Sequence, residues 1–186
     1  MEIKNLSKAY GKKIIFDQAD FNFEKNKINI IMGESGSGKT SLLRILLGLE
    51  DYEGDLGSME NLKKSVVFQE DRLLEKRTVR ENFYFVNERK KDREIYSALE
   101  ALGLEDIIDE KIFRLSGGMK RRIAILRALS VDYDLLIMDE PFKGLDQKNY
   151  EISKKYVKEK TRGKTVIMTS HMKEDLDLLN GRLIKL

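Results

Sequence analysis

Eight consecutive residues, Gly33-Glu34-Ser35-Gly36-Ser37-Gly38-Lys39-Thr40, follow the pattern G-x-x-x-x-G-K-[ST], and the chemistry of that pattern is phosphate binding. Gly33, Gly36 and Gly38 let the backbone curl so that successive N–H groups point at anionic oxygens. Lys39 supplies a point charge for β- and γ-phosphates, and Thr40 a hydroxyl for Mg²⁺. A second group closes an apolar run: Leu135-Leu136-Ile137-Met138 ends on Asp139 and Glu140. A carboxylate just past a buried strand is positioned by the sheet and can hold Mg²⁺, usually through water. Taken alone, two acids at a strand end read first as two solvated side chains. A third group, Leu115-Ser116-Gly117-Gly118-Met119, opens a helical run. Serine there is a good N-cap, which is the plain structural explanation. Two adjacent glycines weaken a helix, and close backbone approach to an anion at the helix start gives them a reason.

These groups need elements to hold them. Residues 27–32 read as a strand running directly into the glycine-rich loop, and 41–49 have helical apolar spacing at Leu42, Leu43, Ile45, Leu46 and Leu49. Strand, loop, helix is the context a phosphate loop requires. Short strands are also expected at 14–16, 20–23, 65–68, 135–138 and 165–168, with a closing strand at 182–186. Gly54 and Gly57 break the chain, and 78–114 is mostly helical, with stripes at Val79, Phe83, Val86 and at Ile95, Leu99, Leu102 before a stop at Gly103. Helices follow at 118–129, striped by Ile123, Ile125, Leu126 and Leu129, and at 147–160. Strands alternating with helices imply an α/β fold with a mostly parallel sheet covered on both faces. There is no internal repeat, low-complexity tract or long linker, and one proline, Pro141.

At 186 residues the chain suits one domain with a real core. Lys and Arg number 35 against 32 Asp and Glu, so charge is dense but balanced at +3, which argues against nucleic-acid binding. The local basic clusters, Lys120-Arg121-Arg122, Arg89-Lys90-Lys91 and Lys154-Lys155 through Lys164, read as solvated helix faces rather than partner-binding patches. Absence of cysteine excludes disulfides and thiolate metal sites. The first ten residues carry no apolar stretch of a secretory signal, and no apolar run approaches the ~18 residues of a membrane span. The chain is therefore expected to be soluble and cytoplasmic, with any membrane role exerted through a partner.

Together and in this order, the three groups resemble the ATPase subunit of an ABC transporter, over essentially the whole chain. The resemblance implies a P-loop NTPase fold: a mostly parallel core sheet, an N-terminal antiparallel β part and a small helical subdomain, about residues 70–128, inserted in one domain, 1–186. In that family the glutamate after the strand-end aspartate polarises the attacking water, which makes Glu140 the catalytic base. Pro141, Phe142, Gly144, Leu145 and Asp146 then follow as in the family's D-loop. Gln69 matches the Q-loop glutamine, His171 the switch histidine at the γ-phosphate, and Tyr10 the aromatic that stacks on adenine, although an aromatic near an early turn serves packing equally well. The resemblance thus gives catalysis to Glu140, His171, Gln69 and Lys39. It gives ATP to Tyr10, Gly33, Ser35, Gly36, Ser37, Gly38, Lys39, Thr40 and Ser41, with Ser116, Gly117 and Gly118. It gives Mg²⁺ to Thr40, Gln69 and Asp139. Met119 stands where the family has glutamine, which leaves the Ser and Gly donors intact. Arg72-Leu73-Leu74 and Pro141-Phe142 resemble bacterial importer ATPases of the nitrate, sulfonate and taurine type.

The same resemblance implies partners. In the family, Ser116 and its glycines close on the γ-phosphate held by a second subunit, giving a head-to-tail dimer, here a homodimer, around two ATP molecules. Transmembrane permease subunits would dock at the helical region 78–114 beside Gln69, a solute-binding protein is an open further partner, and no nucleic acid is expected. The chain would lie in the cytoplasm, peripheral on the inner face of the cell membrane, with no regulatory domain after Leu186. Two alternatives stay open: a non-transport ABC-type ATPase, although residues 41–114 lack the heptads of a long coiled coil, and a non-hydrolysing nucleotide-binding subunit, which intact Lys39, Glu140 and His171 oppose. A nucleotide kinase or GTPase shares the phosphate loop but leaves residues 115–118 and His171 unexplained.

Overall fold

The structure, a computed structural model, describes residues 1–186, the side chains of Asp177 and Leu178 apart. Its centre is a five-stranded sheet of β3 (Ile28–Met32), β5 (Lys64–Val67), β6 (Leu135–Met138), β7 (Thr165–Thr169) and β8 (Arg182–Lys185) in the order β5-β6-β7-β3-β8, every pair parallel. β6 and β7 are buried along their whole length, as strands covered on both faces must be. The strand period of two divides them between layers. Leu135 and Ile137 join Ile31, Ile167 and the apolar face of α1 (Lys39–Leu46) on one side. Leu136 and Met138 join Ile30, Val166, Met168 and Val157 of α5 (Gln147–Lys160) on the other. Because all five strands are parallel, their carboxyl ends lie along one edge, where ligands of such sheets bind.

A second, three-stranded antiparallel sheet of β1 (Glu2–Tyr10), β2 (Lys13–Asn22) and β4 (Glu53–Asp55), ordered β2-β1-β4, covers the α1 side. Two sequence expectations are corrected here. The separate strands at 14–16 and 20–23 are one strand, β2, in which the polar Asp17-Gln18 is an irregularity of register with Gln18 at φ +47° rather than a turn. The sequence analysis found no strand at β1, because Asn5 sits at φ +52° beside a register shift and separates the buried Ile3 and Leu6 by three positions instead of two. Helix α1 also ends earlier than its apolar spacing suggests. Gly48 at φ +69° stops it, the Gly48 and Leu49 N–H groups bonding back to Ile45 and Arg44 carbonyls, and Leu49 is left exposed.

The stretch 78–114 holds α2 (Val79–Val86), α3 (Asp92–Glu100) and a 3₁₀ turn at Ile112–Arg114. With α4 (Gly117–Leu129) they enclose an apolar cluster of their own, built on Val79, Phe83, Ile95, Leu99, Leu102 and Ile123. Helix α4 also buries Ile125 and Ala128 against the sheet, so it ties the small helices to the core. The basic clusters are corrected too: Arg121, Arg122 and Lys154 are buried, because each lies on the inner stripe of its helix and has found polar partners there. Helix α2 opens with a capping box between Thr78 and Glu81. The Thr78 backbone N–H, with help from Arg77, holds the Glu81 carboxyl below the usual carboxylate range. The folded value lies below the unfolded one, so the stabilisation is present at neutral pH and is lost as pH falls through the depressed value. The stability gap between wild type and Glu81→Gln in urea unfolding is accordingly expected at pH 7 and to close on acidification. A gap independent of pH would show that the carboxylate charge has no part in the cap.

The remaining element, α6 (Glu174–Leu179), joins β7 to β8. Among the described residues no helix is long and apolar enough to cross a membrane.

Candidate functional site

Four neighbouring strands deliver the candidate residues to one edge. β3 leads from Met32 into the glycine-rich loop, β5 from Val67 to Gln69, β6 from Met138 to Asp139 and Glu140, and β7 from Thr169 to His171. The register sets them level: Val67 pairs with Met138, Met138 with Met168, and Ile31 with Thr169. A cavity of about 440 Å³ is lined by Tyr10, Ser35, Gly36, Gly38, Lys39, Thr40 and Ser41 from one side and by Gln69, Glu140 and His171 from the other. Residues up to 161 positions apart in sequence thus meet, and ten of the expected site residues share one hollow. Ser116, Gly117 and Gly118 do not line it.

Within the loop, Gly38 precedes α1 at φ +99°, and a Cβ there would stand 2.6 Å from Ile15 Cγ2 and 2.9 Å from Phe16 Cζ. Only glycine meets both demands. Gly33 is held for a different reason, since a Cβ would sit 2.5 Å from the Leu186 carbonyl oxygen. Ser37 Oγ is buried in the curl without a partner. Lys39 is almost fully buried and its ammonium donates to the Gly33 and Glu34 carbonyls at 2.9 and 2.8 Å, leaving a third N–H for a phosphate oxygen. Tyr10 is half exposed, with its hydroxyl 3.4 Å from Ser41 Oγ and the Lys8 ammonium 4.8 Å from its ring centroid.

The acidic end is tightly bonded. The Thr40 hydroxyl donates to Asp139 Oδ2 at 3.0 Å, and the Thr169 hydroxyl donates to Asp139 Oδ1 at 2.7 Å. A hydroxyl and a carboxylate, both hard oxygen donors, fit two positions of the octahedral shell Mg²⁺ would take, with water and phosphate supplying the rest. Among the described residues no group of three His, Cys, Asp or Glu side chains is placed to hold a metal ion.

Glu140 stands in the left-handed region at φ +46°, where a side-chain-bearing residue is strained. Its N–H donates to Thr169 Oγ1 at 2.8 Å. Its carboxylate takes His171 Nε2 on Oε1 at 2.8 Å and Lys143 Nζ on Oε2 at 2.7 Å. Burial pushes the Glu140 carboxyl up, but the Lys143 ammonium and His171 outweigh it and hold the group below the usual carboxylate range. An ionised carboxylate only accepts hydrogen bonds, so His171 presents its Nε2–H to it.

At the other motif, Ser116 caps α4, its hydroxyl accepting the Met119 N–H at 3.3 Å. Gly117 has open space around a would-be Cβ, and Gly118 has only Leu145 Cδ2 at 3.8 Å. Neither has a positive φ. Nothing inside this chain requires either glycine.

The sequence reasoning missed Lys143, Thr169 and Arg121. Thr169 could have been found from the β7 end, one step before the Ser170-His171 pair it supports. Lys143 lies three residues beyond Glu140 in a segment named only for its other members. Arg121 was covered by its reading as solvated charge.

The sequence profile of the family described as "ABC transporter" matches residues 16–143. A taurine import ATP-binding protein of Jannaschia sp. (strain CCS1) is 35% identical, the match covering 99% of this chain and 76% of that protein. A phosphonates import ATP-binding protein of Fusobacterium nucleatum is 32% identical, covering 100% and 88%. A Nod factor export ATP-binding protein of Rhizobium etli is 34% identical over 98% of this chain and 64% of its own length. Among solved structures, a dimeric post-hydrolysis ATP-binding cassette bound to ADP and Pi superposes with TM-score 0.83 at 28% identity, covering 100% of this chain and 93% of that one. A phosphate loop, a strand-end Asp-Glu pair and a histidine on adjoining parallel strands, on a chain matched this broadly, lead to one conclusion: the chain belongs to the ABC transporter family and is one of its ATPases.

Proposed function

We propose that this chain hydrolyses ATP as one of two copies that sandwich two nucleotides, and that closure and release of the pair drive transmembrane subunits between two access states. One observation carries the two-copy reading. Ser116, Gly117 and the N–H groups at the start of α4 are an anion site by type, yet they lie outside the cavity of their own phosphate loop, and the glycines answer to nothing in their own chain. A nucleotide presented by a second copy supplies the missing reason, and a two-fold pairing gives both copies the same environment. The dimeric solved relative supports it.

Within each copy, Lys39 and the loop N–H groups hold the β- and γ-phosphates, Tyr10 faces adenine, and Glu140 orients the attacking water while His171 meets the γ-phosphate and Gln69 reaches Mg²⁺ and the water. Thr40, Asp139 and Gln69 would hold Mg²⁺, which neutralises phosphate charge when bound. Positioning and charge neutralisation are what phosphoryl transfer asks of a protein. Residues 70–128 form the helical subdomain in this reading, and their separate apolar cluster supports that division. In this reading the face of α2 next to the Gln69 loop docks permease subunits and the protein is peripheral on the inner membrane face; the exposure of Phe85 on α2 supports it. Importers and exporters are matched about equally well among the relatives, and the lean towards solute uptake rests on the Arg72-Leu73-Leu74 and Pro141-Phe142 resemblance.

The test is size-exclusion chromatography of Glu140→Gln with and without MgATP. A shift from monomer to dimer on ATP, abolished by Ser116→Arg, is expected. ATP binding without any dimer, at micromolar protein, would overturn the two-copy reading.

A further inference from the structure

Arg121 is a fully used guanidinium in a place where a charge is costly. It sits in the second turn of α4, only 4% exposed. Its Nε–H donates to the Pro141 carbonyl at 2.8 Å. Nη1 donates to the Phe68 carbonyl at 2.6 Å and to Asp71 Oδ1 at 3.1 Å, with the Gln69 carbonyl at 3.3 Å beside them. Nη2 donates to the Asp139 and Glu140 carbonyls at 3.0 and 2.6 Å. All five N–H groups are engaged, and only Asp71 offers an opposite charge. A buried charge survives on this many good acceptors because they return what water gave it.

The acceptors are not random. They belong to the two segments that carry the site: the end of β5 leading through Gln69 to Asp71, and the end of β6 running from Asp139 to Pro141. A planar fork with fixed donor directions sets the two segments relative to each other, which a lysine with three donors on a flexible stem cannot do. The Glu140 backbone is caught between Thr169 Oγ1 on its N–H and Arg121 on its carbonyl, and this pair of bonds keeps the residue at its positive φ. Arg121 also lies five residues beyond Ser116 in one unbroken helix, about 7.5 Å along its axis. The helix end aimed outward and the segments that aim Gln69 and Glu140 inward are therefore one mechanical piece, joined at this side chain.

We infer that Arg121 is the positioning residue that links the two nucleotide sites of the dimer. This rests on the two-copy reading above, in which Ser116 meets the nucleotide held by the partner while Gln69 and Glu140 meet their own. Displacement of α4 when Ser116 engages the partner's nucleotide moves the Arg121 fork, and the fork moves the carbonyls that aim the catalytic carboxylate. Hydrolysis at one site then depends on occupancy of the other, a coupling between two binding events.

The experiment measures steady-state ATPase rate against MgATP concentration for the full chain and for Arg121→Met, Arg121→Lys and Asp71→Asn. Wild type is expected to show a Hill coefficient above about 1.5, falling towards 1 in Arg121→Met, with kcat reduced about tenfold or more and half-saturation changed by less than about threefold; a uniform loss of folded protein lowers the rate but leaves the Hill coefficient unmoved. Arg121→Lys, keeping charge but not the fork, should fall between. Should Arg121→Met fail to fold, Asp71→Asn gives the same readout by removing only the ion pair, and its Hill coefficient should also drop. A coefficient of 1 in wild type, or one unchanged in the folded variants, overturns the inference. The chromatography of Glu140→Gln separates the two claims: a dimer there with unmoved coefficients sinks the role of Arg121 alone, while no dimer sinks both.

Discussion

Glu140→Gln is expected to lower ATP turnover by about 10²–10⁴-fold while changing ATP affinity by no more than about threefold, the range for removing a positioned base. The amide has the shape of the carboxylate and keeps an oxygen for the His171 Nε2–H now bonded at 2.8 Å. It cannot accept the proton of an attacking water, and it no longer attracts Lys143, now 2.7 Å from Oε2. In the proposed function phosphate binding lies elsewhere, in Lys39 and the glycine-rich loop, so affinity should survive. Phosphate release and titration with a fluorescent ATP analogue measure the two halves. Retention of turnover to within tenfold would mean that another group activates the water and that the left-handed backbone at Glu140 serves packing alone.

The largest effect on stability is expected from Asp175→Ala, at about 3–5 kcal/mol, the usual result of breaking a buried ion pair on one side. Lys154 and Asp175 are each 2% exposed, their Nζ and Oδ1 3.0 Å apart. Asp175 Oδ1 also accepts the Tyr150 hydroxyl at 2.6 Å, and Oδ2 accepts the Ser170 hydroxyl. Burial and the Asp175 hydrogen bond hold the Tyr150 phenol above its ordinary value, so it is a donor at neutral pH. Removing the carboxylate strands an ammonium and two hydroxyls that are almost wholly shielded from solvent. For a chain of this size the loss corresponds to roughly 6–20 °C in Tm. The double variant Lys154→Met with Asp175→Asn should cost less than Asp175→Ala alone, because no unpaired charge is left behind. Thermal melts of the three proteins check it, and a double variant as damaged as the single one would show that packing, not charge, sets the penalty. Because Ser170 precedes His171 and its hydroxyl also accepts the Met172 N–H at 3.0 Å, Asp175→Ala should loosen the histidine as well.

How far the site was legible follows from where its information lies. Gly36, Gly38, Lys39 and Thr40 are contiguous, and their joint meaning depends on a loop whose geometry is local. Asp139 and Glu140 were legible because an apolar run in front of them is itself a strand. The antiparallel sheet was less so: β1 and β2 bury few residues, and the bulges at Asn5 and Gln18 disrupt the alternation by which a half-buried strand is recognised. Arg121 and Lys154 were misjudged as solvated charge although their positions spoke against it. Arg121 stands four and seven residues before the buried Ile125 and Ala128, and Lys154 between Tyr150 and Val157 on the inner stripe of α5. Periodicity shows that such a residue faces inward, but not that polar partners await it there.

The α/β plan, the glycine-rich loop between its strand and helix, and the acid pair at a strand end are readable from the residues alone, because each is carried by neighbours in the chain or by a period of two or 3.6. Which groups meet depends on the three-dimensional fold. It set Thr169 against Asp139 across 30 residues, Lys143 and His171 on the two oxygens of Glu140, and Arg121 against carbonyls 18 to 53 residues away. It also left Ser116 and its glycines outside the cavity of their own chain. A buried charge is tolerated only where hydrogen-bond partners surround it, and strand order and register place those partners.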